Sequence, residues 1–205
     1  MPAGDVLLFT GDLTMFSKRL SAIEDFDDWL GELPHRWKLV VPGNHEFFLE
    51  SDPGRRSLVS NAHVLIDEAV TVEGLKIYGS PVTPLSGGAF CKPSPADRVR
   101  HWAQIPGDVN VLIVHGPPYG ILDRSPGQRE HMGDPELMAR VKQLPNLRLL
   151  CCGHVHGGFG MVERDGVLYV NAALMGMLGA IDRHPVVLRM EPVQTARRSP
   201  RGGGT

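Results

Sequence analysis

Hydrophobic positions in this chain follow two periods. Short, mostly apolar runs at residues 6–10, 37–41, 109–114 and 147–152 are bounded by polar or turn-forming residues and predict buried strands. Leu20, Ile23, Phe26, Leu30 and Leu33 recur at helical spacing, which predicts an amphipathic helix over 17–33 that Pro34 ends. Strand, helix and strand in that order point to a parallel pair. Residues 55–60 read as a short helix, and 64–66, 69–72 and 75–79 as short strands. Residues 79–95 are rich in Gly, Pro and Ser and read as a long loop, a type that is often functional. A helical turn is expected over 98–104, and a helix over 134–144 with Asp134 as cap and Pro135 at its first position. Residues 160–163 and 167–170 form strands around the hairpin turn Arg164-Asp165-Gly166, and 186–190 is a final strand. Early βαβ units followed by hairpins predict an α/β (α+β) fold of two packed mixed β-sheets flanked by helices.

Composition narrows the class. A chain of 205 residues with 42% apolar content suits one ordinary domain with a real core, expected over 1–191. The segment 192–205 lacks apolar periodicity and reads as a disordered tail. A net charge of -2 gives no basic excess, so nucleic acid is not expected as an obligate partner. No apolar run approaches the ~20 residues of a membrane span, and the N-terminus lacks the layout of a secretory signal. Cys91, Cys151 and Cys152 are odd in number and include an adjacent pair, which fits a reducing cytoplasm.

Chemistry concentrates where the strands end. Gly11-Asp12, Gly43-Asn44-His45-Glu46, His115-Gly116-Pro117-Pro118 and Gly153-His154-Val155-His156 each close an apolar run. Strand ends are where a sheet fold gathers distant residues. Asp, Asn and His there suit divalent Mn, Fe or Zn. Taken singly, each motif also reads as ordinary structure: a Gly-Asp turn, a capped turn, a core histidine, a solvated turn. His154 and His156 lie two apart, so in an extended segment both imidazoles would face one cavity. Arg124, Arg129 and His131 could meet phosphate, or be solvated loop charges.

The ordered set of motifs resembles the calcineurin-like metallophosphoesterases. More narrowly, residues 4–12, Tyr78 to Pro84, His115 to Gly120 and Gly153 to Gly160 resemble the metallophosphoesterase domain-containing branch. The likeness runs from about residue 4 to residue 191 and implies a four-layer sandwich with a two-metal site. It implies that Asp12 bridges both metals, that Asn44, His115 and His154 bind the second, and that His156 binds the first. His45 would lie over the scissile phosphate as acid or charge stabiliser and contact substrate with Asn44; Glu46 would orient His45. The implied reaction is hydrolysis of a phosphodiester, with cyclic nucleotides among the candidate small-molecule substrates, by a metal-activated water attacking phosphorus in line. Mn2+ leads as cofactor, with Fe2+, Zn2+ and Ni2+ as alternatives.

One family motif has no counterpart. An Asp-x-His supplying two ligands to the first metal would precede residue 4, so Met1 is expected to be an internal residue of a longer protein. If Met1 is the true start, the first metal keeps only Asp12 and His156. The chain is then a one-metal binding or scaffold protein, and strand 6–10 is an exposed edge. A third reading, a thiol enzyme using Cys151 and Cys152, competes with a core role for both cysteines.

Overall fold

In a computed structural model, the described residues are 1–176 and 179–191. The expected tail, 192–205, lies outside them. Two sheets form. The first is wholly parallel, in the order β1 (Val6–Phe9), β2 (Trp37–Val40), β3 (His63–Val64), with β1 at one edge. The second is mixed. Its order is β4 (Glu68–Val72), β5 (Leu75–Ser80), β6 (Val111–Val114), β7 (Leu149–Cys152), β9 (Val167–Asn171), β8 (Gly160–Arg164).

Side-chain alternation builds the layers. Leu39, Val41, Val111, Ile113, Leu149, Cys151 and Val170 meet in the core between the sheets, with Val6 and Leu8 packed against it. Their neighbours face outward. Leu7 and Val40 pack with Ile23 and Leu30 of helix α1 (Ser21–Glu32). Leu112, Val114, Leu150 and Cys152 pack with Trp102 of α3 (Pro95–Trp102) and with Leu137 and Val141 of α4 (Pro135–Val141). The order helix, sheet, sheet, helix is the expected four-layer sandwich. The two sheets approach closely at Gly79, where an added Cβ would lie 2.8 Å from Val41 Cγ2 and would also strike Leu65.

Several boundaries differ from expectation for identifiable reasons. Helix α1 starts at Ser21 rather than residue 17, because Phe16 and Ser17 hold left-handed φ of 59° and 49°. A short helix α2 (Phe47–Ser51) precedes a 3-10 turn, Pro53–Leu58, where one later helix was expected. Helix α3 begins earlier, on a Ser94 cap with Pro95 at its first turn. The Asp134 cap of α4 is as expected, its side chain accepting from Glu136 N at 2.9 Å. At the β8–β9 hairpin, Asp165 and Gly166 are both left-handed, as a two-residue hairpin turn requires. Residues 186–190 are not a strand: they join no sheet ladder, although Val186, Leu188 and Met190 pack against the inter-sheet core. Alternating burial is present there without hydrogen-bonded neighbours. No helix of the described residues is long and apolar enough to cross a membrane.

Candidate metal centre

The loops that leave the C-terminal ends of β1, β2, β6 and β7 meet at one place. His115 follows β6 directly and is fully buried. Its Nδ1–H donates to the Thr10 carbonyl at 2.8 Å, joining the second sheet to the end of β1 and fixing the tautomer. In the neutral ring Nε2 carries the lone pair, 2.9 Å from Asn44 Oδ1 and 3.4 Å from Asp12 Oδ1. His154 lies across from it, with ring centroids 4.8 Å apart. Asp12, His115 and His154 bring one donor atom each to within 4.8 Å of one another.

The backbone is bent to achieve this. Asp12 and His154 have φ of 59° and 60°, in the left-handed region that costs a non-glycine residue on the order of 1–3 kcal/mol. Gly43 is needed for proximity: an added Cβ would lie 2.5 Å from Asp12 N and 2.6 Å from His115 Cε1. The fully buried Glu46 ties the loops together. Its Oε2 accepts from Asp12 N at 3.0 Å and Gly43 N at 2.6 Å, and its Oε1 from Thr14 N and Thr14 Oγ1, both at 3.0 Å. This corrects the expected role of Glu46: it organises the Asp12 loop rather than His45. Burial, helped by the Asp12 charge, pushes its carboxyl above the ordinary value, while the Gly43 and Thr14 donors pull it back.

Electrostatics favour a cation. Burial, then the neighbouring His115, push the His154 imidazole down to about 4, so it is neutral near pH 7. His115 resists its own burial because the Asp12 carboxylate and Thr10 carbonyl favour its charged form. The Asp12 carboxyl lies below its ordinary value; burial opposes that, and the bond and charge of His115 outweigh it. Three electron-rich atoms (His115 Nε2, Asp12 Oδ1 and Asn44 Oδ1) therefore converge on a spot that needs positive charge. A proton meets that need in part. A divalent ion meets it fully, and the N/O donor set suits one.

The remaining expected residues fall as follows. His45 donates its N–H to Asp12 Oδ1 at 3.2 Å, and its Nδ1 lies 3.9 Å from the same oxygen. His156 is not in the group of three. The segment is not extended, as the paired-imidazole reading required: His154 is left-handed and His156 opens a 3-10 turn, His156–Gly158. The His156 carbonyl is held by Arg183. Arg124 and Arg129 are exposed, and His131 Nδ1 bonds Asp123 Oδ1 at 2.7 Å. Asn171 was not anticipated. Fully buried at the end of β9, its Nδ2 donates to Val155 O at 2.9 Å and Leu122 O at 3.0 Å, clamping the loop that carries His154. Its only trace in the sequence is a polar residue closing an apolar strand. Cys151 and Cys152 are core residues on opposite faces of β7, and burial pushes the Cys151 thiol up to about 12 and that of Cys152 well above its ordinary value. Neither is a thiolate near neutral pH, which removes the thiol-enzyme reading.

Fold and site together define a candidate metal centre, built from Asp, Asn and His at the strand ends of a four-layer sandwich. The chain belongs to the calcineurin-like phosphoesterase family, matching it over residues 2–158. It is 35% identical over 199 residues to metallophosphoesterase domain-containing protein 1 of Homo sapiens, covering 85% of this chain and 61% of that protein. It is 32% identical over 203 residues to a UPF0046 protein of Caenorhabditis elegans, covering 91% of this chain and 68% of that one. The chain thus spans about three fifths of the length of the human relative. Among solved structures, the phosphopantetheinyl hydrolase of Mycobacterium tuberculosis superposes with a TM-score of 0.50 at 18% identity, covering 83% of this chain and 79% of that one, a likeness of fold. Metal-dependent phosphoester hydrolysis is the general chemistry of the family.

Proposed function

We propose that this chain hydrolyses small-molecule phosphodiesters, cyclic nucleotides among them, with Mn2+ as the leading cation. The observation that carries the reading is the convergence of His115 Nε2, Asn44 Oδ1 and Asp12 Oδ1 beside a neutral His154. Asp12, Asn44, His115 and His154 would hold one cation, and Asp12 with His156 would take part in a second. Bound divalent cations supply positive charge for the phosphoryl oxygens and lower the pKa of water. The residues do the rest. Asp12 has a second carboxylate oxygen to share. Asn44 and the neutral imidazoles complete the shell without cancelling the charge that the phosphoryl transition state needs. His45, anchored through its N–H to Asp12, stands beside the donors and protonates the leaving oxygen. Three unbridged cysteines favour a reducing cytoplasm as its setting.

A second reading is a cation-binding scaffold with one ion and no turnover. It is favoured by the donor count: among the described residues a single group of three such donors converges, Asp12, His115 and His154. The test is hydrolysis of bis-p-nitrophenyl phosphate and p-nitrophenyl phosphate with added Mn2+, with cation stoichiometry measured on the same sample. Diester turnover supports the proposal. Saturable cation binding without turnover of either probe supports the scaffold. Preference for the monoester overturns the diester assignment.

A further inference from the structure

Phe16 is out of place by every packing criterion. It is 47% exposed and belongs to none of the apolar clusters of the described residues. Its φ of 59°, followed by 49° at Ser17, puts two successive non-glycine residues in the left-handed region. Such backbone persists only where its surroundings over-determine it, and it gathers at functional sites. The surroundings here are specific. Ser17 N donates to Thr14 Oγ1 at 3.0 Å, and Thr14 is itself bound to Glu46. Ser17 Oγ donates to the carbonyl of His45 at 2.9 Å and accepts from Phe48 N at 3.3 Å.

The result is a ring laid on an imidazole. The Phe16 and His45 centroids are 3.8 Å apart with planes tilted by 34°. The loop that bends Phe16 outward is thus hydrogen-bonded to the backbone of the very residue its ring covers. Its polar ties are few: the His45 backbone N–H is bonded to Asp12, and the nearest ionic approach of its ring is the 3.9 Å from Nδ1 to Asp12 Oδ1. Among the described residues, the Phe16 ring is the aromatic face laid against the imidazole.

We infer that Phe16 is a positioning residue for His45: its ring, presented by the strained 14–17 loop, fixes the rotamer and plane of the imidazole. This rests on the phosphoesterase reading above for its kinetic consequence, though not for the stack itself. A displaced acid loses rate steeply, since an error of about 1 Å can cost on the order of 100-fold. Partial loosening should therefore cost about tenfold in kcat with little change in KM. Phe16→Tyr keeps the ring face and should retain parental turnover. Phe16→Leu keeps bulk without a ring face and should behave like Phe16→Ala.

The test is a double-mutant cycle on bis-p-nitrophenyl phosphate with Mn2+, using Phe16→Ala, His45→Ala and the pair. Because Phe16 acts through His45, its substitution should add no further loss once His45 is alanine. An equal loss in both backgrounds, or no loss in either, overturns the inference. A second readout needs no turnover: the His45 ring protons lie under the Phe16 ring current and should move downfield in Phe16→Ala. Absence of turnover in the parent protein would overturn the phosphoesterase reading alone. The stack is then judged by those resonances, and unmoved His45 signals overturn it.

Discussion

Replacing Glu46 by Gln tests whether one buried carboxylate holds the site together. All its partners are donors: three main-chain N–H groups, from Asp12, Thr14 and Gly43, and the Thr14 hydroxyl. A carboxamide keeps the shape and turns one oxygen into an N–H donor. Facing Oε2, that group would confront Asp12 N and Gly43 N. Facing Oε1, it would confront Thr14 N, while the Thr14 hydroxyl could turn to accept. The second arrangement is the milder and still strands one buried N–H. A hydrogen bond to a charged acceptor is worth about 1.5–3 kcal/mol, and the surviving bonds weaken as the acceptor loses its charge. The total comes to about 3 kcal/mol, near the low end for breaking a buried ionic network. For a chain of this size that lowers Tm by roughly 6–12 °C. The assay is thermal unfolding followed by circular dichroism at pH 7, without and with Mn2+. If Glu46 served only to orient His45, the melt would be unchanged and turnover alone would fall. A Glu46→Gln melt within about 2 °C of the parent refutes the reasoning.

Other substitutions probe separate links. Asp12→Asn should fold, because Asn tolerates the left-handed backbone, and should lose Mn2+-dependent turnover by at least about 100-fold; parallel melts and rate assays check both halves. Asn171→Ala frees the carbonyls of Val155 and Leu122 and should cost about 2 kcal/mol in urea unfolding while weakening cation binding through the His154 loop. The Asp27 carboxyl lies below its ordinary value; burial opposes this, and its bonds from Ser60 and Asn61 outweigh it. Its contribution is therefore fully present above the unfolded value of about 3.9 and is lost as pH falls through the lower folded value. Asp27→Ala should be destabilised at pH 7, and the gap to the parent should close under acid; urea titrations at both pH values read it. Thiol titration of the folded chain should find Cys151 and Cys152 unreactive until unfolding.

Much of the architecture was legible because it rests on short-range pattern. The runs of β6 and β7 are continuous, apolar and buried throughout, as strands covered on both faces must be, and those of β1 and β2 are apolar apart from Lys38. The candidate metal donors stood out because polar ligand types close those runs. Less legible were features set by distant contacts. Residues 186–190 carry a strand's alternation, yet pairing depends on a neighbour that local pattern cannot supply. The early part of the expected α1 has helical spacing, and the ties of Ser17 to Thr14 and His45 override it. Glu46 reads as part of a ligand motif, whereas its donors come from Asp12 and Thr14, 34 and 32 residues away, as well as from nearby Gly43. His154 and His156 share a motif, but His154 is left-handed and His156 opens a 3-10 turn, so the period-two geometry of a strand does not describe the segment.

Asp12, Asn44, His115 and His154 are proposed above to hold a divalent cation. Calorimetric titration of chelator-stripped protein with Mn2+, alongside Asp12→Asn, tests it most directly. Saturable binding by the parent, with loss of that binding in Asp12→Asn, is the predicted result. Equal binding by parent and variant, or no binding by the parent, would contradict the account.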